Sequence, residues 1–286
     1  MNHYPIPDIA RKYTDYDMIR QHTDLPAFAD YRVRLLYTLL SKVSAQPSNS
    51  ELYALVTSLV QLGLDTHDQI DETNAWAGKR ATRSRQLKVL AGDYFSSRFY
   101  NLLSQAGQIE LVKAISGAVC EVNLLKMSLY TKMKQLKVTA EEYIQQSVNI
   151  RTELFKSFSK FMEGIYSHAW PELLQGFTRC EVLLQELYRG ESPEQFKGSF
   201  AFWHILQTGT QEEKRTLQEN NWDAPKVKQA MNKYKVRGIL QSMLQQQVQA
   251  IHRLFEQLDS EKLTKELAHI GEPFFRYLST PVLEER

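Results

Sequence analysis

Cysteine is scarce in this chain. Cys120 and Cys180 are the only two, and neither stands in a C-x-x-C or Cys/His spacing, which excludes a disulfide scaffold and a thiolate zinc site. Reduced thiols in a cytoplasmic protein are the expectation. Glycine and proline are few, twelve and nine in 286 residues, and no Pro/Gly/Ser-rich stretch is long enough to act as a linker, so a single domain over 1–286 is expected. No run approaches the roughly 20 apolar residues of a membrane span. The opening MNHYPIPDIARKY lacks the basic-then-apolar layout of a signal peptide, while peripheral attachment to a membrane stays open. Charge of one sign is missing too: 35 Lys and Arg are interspersed with 33 Asp and Glu, so no global field recruits nucleic acid.

The common catalytic signatures are absent. There is no G-x-S-x-G, H-E-x-x-H, P-loop or G-x-G-x-x-G, and His3, His22, His168, His204, His252 and His269 are scattered without ligand spacing. What the chain does have is helical periodicity. Hydrophobic residues, 43% of the total, recur at three- and four-residue spacing rather than in alternation. This predicts an all-α protein with helices near 29–45, 50–72, 84–105, 108–135, 140–168, 171–189, 193–207, 224–258 and 261–278. Thr139 with Glu142 reads as a capping box. The stretch 154–166 sets Leu154, Phe155, Phe158, Phe161, Met162, Ile165 and Tyr166 on one broad helical face, which reads first as core and second as the wall of an apolar cavity or a partner surface.

One stretch carries a concentration of polar chemistry. In LVQLGLDTHDQIDE (59–72), an apolar helical run gives way to Asp65, His67, Asp68, Asp71 and Glu72. Asp65, Asp68 and Asp71 follow at i, i+3 and i+6, so their carboxylates leave neighbouring turns of one face, a geometry able to hold Mg²⁺ through oxygen and water. By spacing alone an acidic helix end in solvent is the simpler reading. The following GKRATRSRQLK brings Lys79, Arg80, Arg83, Arg85 and Lys88 close behind, and cations after carboxylates suit a metal-bridged diphosphate as well as a solvated helix start.

Downstream, VLAGDYFSSRFYNLLSQAG (89–107) resembles the GDY-containing helix of trans-isoprenyl diphosphate synthases, with LVQLGLDTHDQIDE in the place of that family's first aspartate motif. Weaker similarity runs through EEYIQQSVNIRTELF and returns in AIHRLFEQLDSEKLTKELAHIGEPFFR. The resemblance implies an all-α, isoprenoid-synthase-like helical bundle. It also implies two aspartate motifs, and both are damaged. No Asp-Asp dipeptide occurs anywhere in the chain, leaving Asp65, Asp68 and Asp71 as a degenerate remnant. The second motif would fall near GFTRCEVLLQELYRG, where Glu181 is followed by Val182, Leu183 and Leu184, and Ile150-Arg151-Thr152 is only an off-register match to the family's Lys-Thr pair.

Chemistry in this family depends on Mg²⁺ held by both motifs to draw off diphosphate. The chain is therefore similar to the small, non-catalytic subunits of two-component heptaprenyl diphosphate synthases. That resemblance implies no catalytic residue and no cofactor on this chain, Mg²⁺ on a catalytic component 2, and a heterodimer or higher complex. The complex would elongate farnesyl diphosphate with isopentenyl diphosphate to supply the menaquinone side chain. Lys79, Arg80, Arg83 and Arg85 are then diphosphate-proximal candidates. Phe95, Phe99, Leu103, Phe155, Phe158 and Met162 are candidates for the prenyl tail or the subunit interface, through which this chain would control product length. Two alternatives stay open: a stand-alone Mg²⁺-dependent prenyl or terpene synthase using Asp68, Asp71 and Glu72, and a polyprenyl-binding carrier.

Overall fold

Short polar side chains at helix starts account for several of the breaks in a chain that is helical almost throughout. Ser199 accepts the backbone N–H of Phe202 and Asp223 that of Lys226, each satisfying a donor the first helical turn leaves open. A computed structural model describes residues 4–43, 47–70, 78–190, 192–219, 222–258 and 260–279, with backbone alone described at 20, 22, 47–48 and 78–81. Among these the helices are α1 (Ile6–Thr14), α2 (Asp17–His22), α3 (Asp30–Val43), α4 (Pro47–Asp68), α5 (Gly78–Gln105), α6 (Ile109–Lys134), α7 (Ala140–Lys156), α8 (Ile165–Arg189), α9 (Phe200–Thr208), α10 (Gln211–Gln218), α11 (Ala224–Lys233), α12 (Val236–Glu256) and α13 (Glu261–Ser279). A 3₁₀ turn spans Ser159–Phe161, and no strand occurs among the described residues. The all-α expectation holds.

Several boundaries differ from the sequence pattern. The helix expected over 140–168 ends at Lys156, and Met162 is extended (φ −88°, ψ 119°) before Gly164 turns left-handed at φ 55° and α8 begins. Only glycine enters that region at little cost. The aromatic stretch 154–166 is therefore not one helical face, although Leu154, Phe155, Phe158 and Met162 are all buried. The helix expected over 224–258 is split by Lys235 at φ 49°, and α9 starts seven residues after the expected 193. The helices α1, α2 and α10 were not expected. For α10 the signal was present: Thr210-Gln211-Glu212-Glu213 forms a complete capping box. At Thr139 only half of the expected box forms. Thr139 Oγ1 accepts the N–H of Glu142, but the Glu142 carboxylate turns to Lys132 Nζ at 2.6 Å.

The residues fall into two compact units, 1–118 with 154–167, and 119–153 with 168–286. In the first unit Leu55 and Leu59 of α4 pack with Ala10 of α1, and Leu62 packs with Ala91 and Phe95 of α5. Tyr53 stacks near Phe158 and Phe161, with centroids 5.9 and 5.4 Å away, and its hydroxyl donates to Gln108 Oε1 at 2.8 Å. In the second unit Phe177 packs with Phe255 and Phe274, each 6.4 Å between centroids. Each such fully buried side chain contributes about 1.5–3 kcal/mol. A polar staple closes the segment after α8. Buried Glu186 accepts from the Tyr143 hydroxyl at 2.9 Å and the Phe200 N–H at 2.6 Å, and Arg189 donates to the carbonyls of Gln195 and Lys197. Burial first, then the Glu186 charge, pushes the Tyr143 hydroxyl far above its ordinary range, so it stays protonated, donating to Glu186 while its oxygen accepts from Arg189 Nη1 at 2.6 Å.

Glu213 ties α10 to the end of α11. Its carboxylate takes hydrogen bonds from Lys233 Nζ at 2.7 Å, from the Tyr234 hydroxyl at 2.5 Å and from the Thr210 N–H at 2.8 Å. The Lys233 bond and then the Tyr234 bond hold its pKa down at about 2, against an ordinary 4.5. A carboxyl depressed on folding stabilises fully above its unfolded value and loses that contribution as pH falls through the folded one. Glu213→Gln is expected to lower the urea midpoint at neutral pH, with the gap to wild type narrowing as acid titration moves from about 4.5 toward about 2. A gap independent of pH would contradict this assignment.

Candidate functional site

The end of α4 carries the first acidic cluster, and glycines set its position against α5. A Cβ at Gly63 would lie 2.8 Å from both the Gly92 carbonyl oxygen and the Ser96 nitrogen, and one at Gly92 would lie 2.7 Å from the His67 ring. Both positions need glycine because backbone faces backbone, or a ring, with no room between. His67 therefore lies across α5, with its Nε2 3.3 Å from Asp93 Oδ1, the aspartate of the GDY sequence. One turn earlier, Gln61 Nε2 donates to Asp65 Oδ1 at 2.8 Å, while its Oε1 accepts from the buried Arg32 guanidinium at 3.3 Å. Arg32 also stacks 5.3 Å from the centroid of Phe155. The Asp65 carboxylate is thus linked through an amide to a buried cation.

The other candidates are placed as follows. Asp68 is exposed, whereas Asp65 is partly covered. Asp71 and Glu72 lie outside the described residues, and the side chains of Lys79 and Arg80 do too. Arg83 is exposed and Arg85 partly covered on the first turns of α5. Phe95, Phe99, Leu103, Phe155, Phe158 and Met162 are all 4% exposed or less, inside the first unit. Sequence reasoning passed over Arg32, Gln61 and Asp93. The Gln61/Asp65 spacing of four residues within α4 was a readable signal for one of these contacts. Arg32 had none, because its partners are distant in sequence.

The second acidic position belongs to the second unit. Glu181 of α8 is 7% exposed, and Arg151 of α7 donates to its Oε1 at 3.3 Å. Thr152, beside Arg151, is fully buried, and its hydroxyl donates to the Asn149 carbonyl of its own helix. Mg²⁺ requires oxygen donors clustered around it and no cation in its place. A guanidinium already against Glu181 repels a divalent ion there. Among the described residues, no three His, Cys, Asp or Glu side chains come together as a metal site. Arg151 and Glu181 do not fit a Mg²⁺-holding arm.

The family described as heptaprenyl diphosphate synthase (HEPPP synthase) subunit 1 has a model that matches residues 16–262. Heptaprenyl diphosphate synthase component 1 of Geobacillus stearothermophilus is 36% identical over 94 residues, which is 33% of this chain and only 40% of that relative's length. Among solved structures, geranylgeranyl pyrophosphate synthase from Lactobacillus brevis atcc 367 superposes with a TM-score of 0.74 at 12% identity, covering 95% of both chains. Geranylgeranyl pyrophosphate synthetase from Pyrococcus horikoshii Ot3 gives 0.70 at 15% identity, covering 96% of this chain and 91% of the other. At those identities the structures establish the fold, which is that of isoprenyl diphosphate synthases.

Two outcomes test the geometry. Gly63→Ala is expected to destabilise by about 2 kcal/mol, because its methyl meets backbone that cannot turn aside; urea unfolding measures this, and a neutral result would mean α4 and α5 are not locked at that point. Arg151→Ala is expected to cost about 2 kcal/mol by taking the guanidinium away from the buried Glu181 carboxylate, while the apolar pair Arg151→Met/Glu181→Leu recovers most of the loss. A double-mutant cycle reads the coupling.

Proposed function

The chain belongs to the heptaprenyl diphosphate synthase subunit 1 family, and from that premise we propose that it is the accessory, non-catalytic subunit of a heteromeric synthase. A catalytic partner carries both intact aspartate motifs and the Mg²⁺, and extends farnesyl diphosphate with isopentenyl diphosphate to the heptaprenyl length used for the menaquinone side chain. This chain binds no cofactor of its own. The observation that carries the reading is the Arg151–Glu181 pair. The carboxylate left at the second acidic position is closed on a cation from its own unit, which removes the negative charge that departing diphosphate chemistry needs for its metal.

An uncovered apolar stripe supports the partnership. On α6, Cys120, Leu124 and Met127 follow at i, i+4 and i+7 and so share a face, and Leu124 and Met127 are 63% and 62% exposed. Large apolar side chains on successive turns are stabilised by roughly 25 cal/mol for each Å² they lose to a partner. The buried group Phe95, Phe99, Leu103, Phe155, Phe158 and Met162 is then the apolar body against which the growing tail is accommodated, its bulk limiting product length. Arg83 and Arg85 remain candidates for contact with diphosphate at the head end.

Prenyl-transfer assays on the chain alone, on the catalytic component alone and on both together test the proposal, with product formation expected only from the pair. Leu124→Glu/Met127→Glu is expected to abolish co-purification and reduce activity of the mixture at least tenfold, while helicity by circular dichroism is unchanged. Full turnover by the isolated chain overturns the accessory reading.

A further inference from the structure

Two helices of this chain end in the same hydrogen-bonded motif, built on different residues. At the end of α5 the Gly107 N–H bonds the Ser104 carbonyl at 3.0 Å and the Gln108 N–H bonds the Leu103 carbonyl at 2.8 Å, with Gly107 left-handed at φ 69°. At the end of α6 the Leu136 N–H bonds the Met133 carbonyl at 3.0 Å and the Lys137 N–H bonds the Lys132 carbonyl at 3.0 Å, with Leu136 left-handed at φ 53°. This is the Schellman closure, whose left-handed position strongly prefers glycine. Leucine there is strained and gains little burial in return, since its side chain is 40% exposed. Nor is the turn a frayed end. Val138 is 4% exposed, Thr139 caps α7, and the Ala140 N–H donates to Gln207 Oε1 at 2.8 Å.

The surroundings of Leu136 are cationic and amphipathic. The sequence 132–137 reads KMKQLK, and Lys134 and Lys137 are exposed. Lys134 Nζ lies 4.6 Å from the ring centroid of Tyr130, itself 47% exposed. The acids that follow in the chain are occupied by cations: Glu142 by Lys132 at 2.6 Å and Glu141 by Arg179 at 2.7 Å. A rigid turn thus presents one strained leucine, a tyrosine and exposed lysines with the nearby carboxylates neutralised. Apolar tips flanked by lysines match a bilayer interface, where the leucine enters the acyl boundary and the ammonium groups meet lipid phosphates.

We propose that the α6–α7 turn, with Leu136 at its left-handed position and Lys134, Lys137 and Tyr130 around it, docks the protein on an anionic lipid surface. The inference goes beyond the subunit reading and holds without it, because it rests on the turn alone. Sedimentation of the full chain with vesicles of equal parts phosphatidylglycerol and phosphatidylcholine, against phosphatidylcholine alone, is expected to show binding only to the anionic vesicles, weakened by added salt. Lys134→Gln/Lys137→Gln is expected to weaken binding about twenty-fivefold, at about fivefold for each lysine. Leu136→Gly is expected to weaken it severalfold while the thermal midpoint stays or rises, since glycine adopts this backbone without strain. Equal binding to both vesicle types, or unchanged binding by the double lysine variant, overturns the proposal. Loss of the catalytic partner from these variants with vesicle binding intact also overturns it, by assigning the turn to a protein contact.

Discussion

The backbone contact of α4 with α5 at Gly63 and Gly92 is the constraint on which the rest of the first unit depends. With no Cβ on either residue, the two helices approach until a methyl group at Gly63 would collide with the main chain of α5 and one at Gly92 with the His67 ring. That approach fixes the register of both helices. Leu62 and Phe95 meet in the core on one side of the crossing, while His67 is laid over Gly92 and reaches Asp93 on the other. The acidic end of α4 and the GDY stretch of α5 are therefore one structural feature. Neither could slide by a turn without breaking the core contact that the glycines permit.

Much of this was legible in the sequence, and the failures have physical causes. Helical periodicity gave the all-α class and the extent of α6 to within a residue, while α4 and α5 start three and six residues before the expected 50 and 84 and α4 ends at Asp68 rather than at 72, because long amphipathic segments repeat the same signal many times but their ends do not. The GDY stretch and the missing Asp-Asp pair located the first acidic position. What periodicity could not give was the stop after Lys156. There the apolar residues continue at helical spacing, but the backbone turns at Gly164, and Phe158 and Met162 are buried from the residue that precedes a 3₁₀ turn and an extended residue that follows it. The Arg151–Glu181 contact was also out of reach, since thirty residues separate the partners and nothing local to either demands the other. Lys235 and Leu136 show the same limit from another side. Left-handed residues that are not glycine carry no mark in the sequence.

The two described acidic positions share one feature, a cation within reach of each carboxylate. Adjacent aspartates repel one another, and holding both ionised requires a divalent cation or a displaced pKa. Here the dipeptide is absent. Asp65 is tied through Gln61 to Arg32, and Glu181 is met by Arg151, so each of these carboxylates has a compensating cation in its own unit. At these two carboxylates the negative charge is already countered without Mg²⁺. Burying a paired carboxylate is neutral at best, whereas burying an unpaired one costs several kcal/mol.

If the metal chemistry resides elsewhere, the fold must serve through its surfaces, and the exposed residues of α6 then have a consistent meaning. Leu124 and Met127 offer a flat apolar stripe along the middle of the helix, suited to another helix. At its end the character changes to a strained leucine among lysines, which offers little to an apolar partner face and much to phosphate oxygens. A long apolar product made from charged, water-soluble precursors has to pass from a protein interior to a bilayer. One helix that binds a catalytic chain along its side and a lipid surface at its end would hold the site of synthesis beside the place where the product comes to rest.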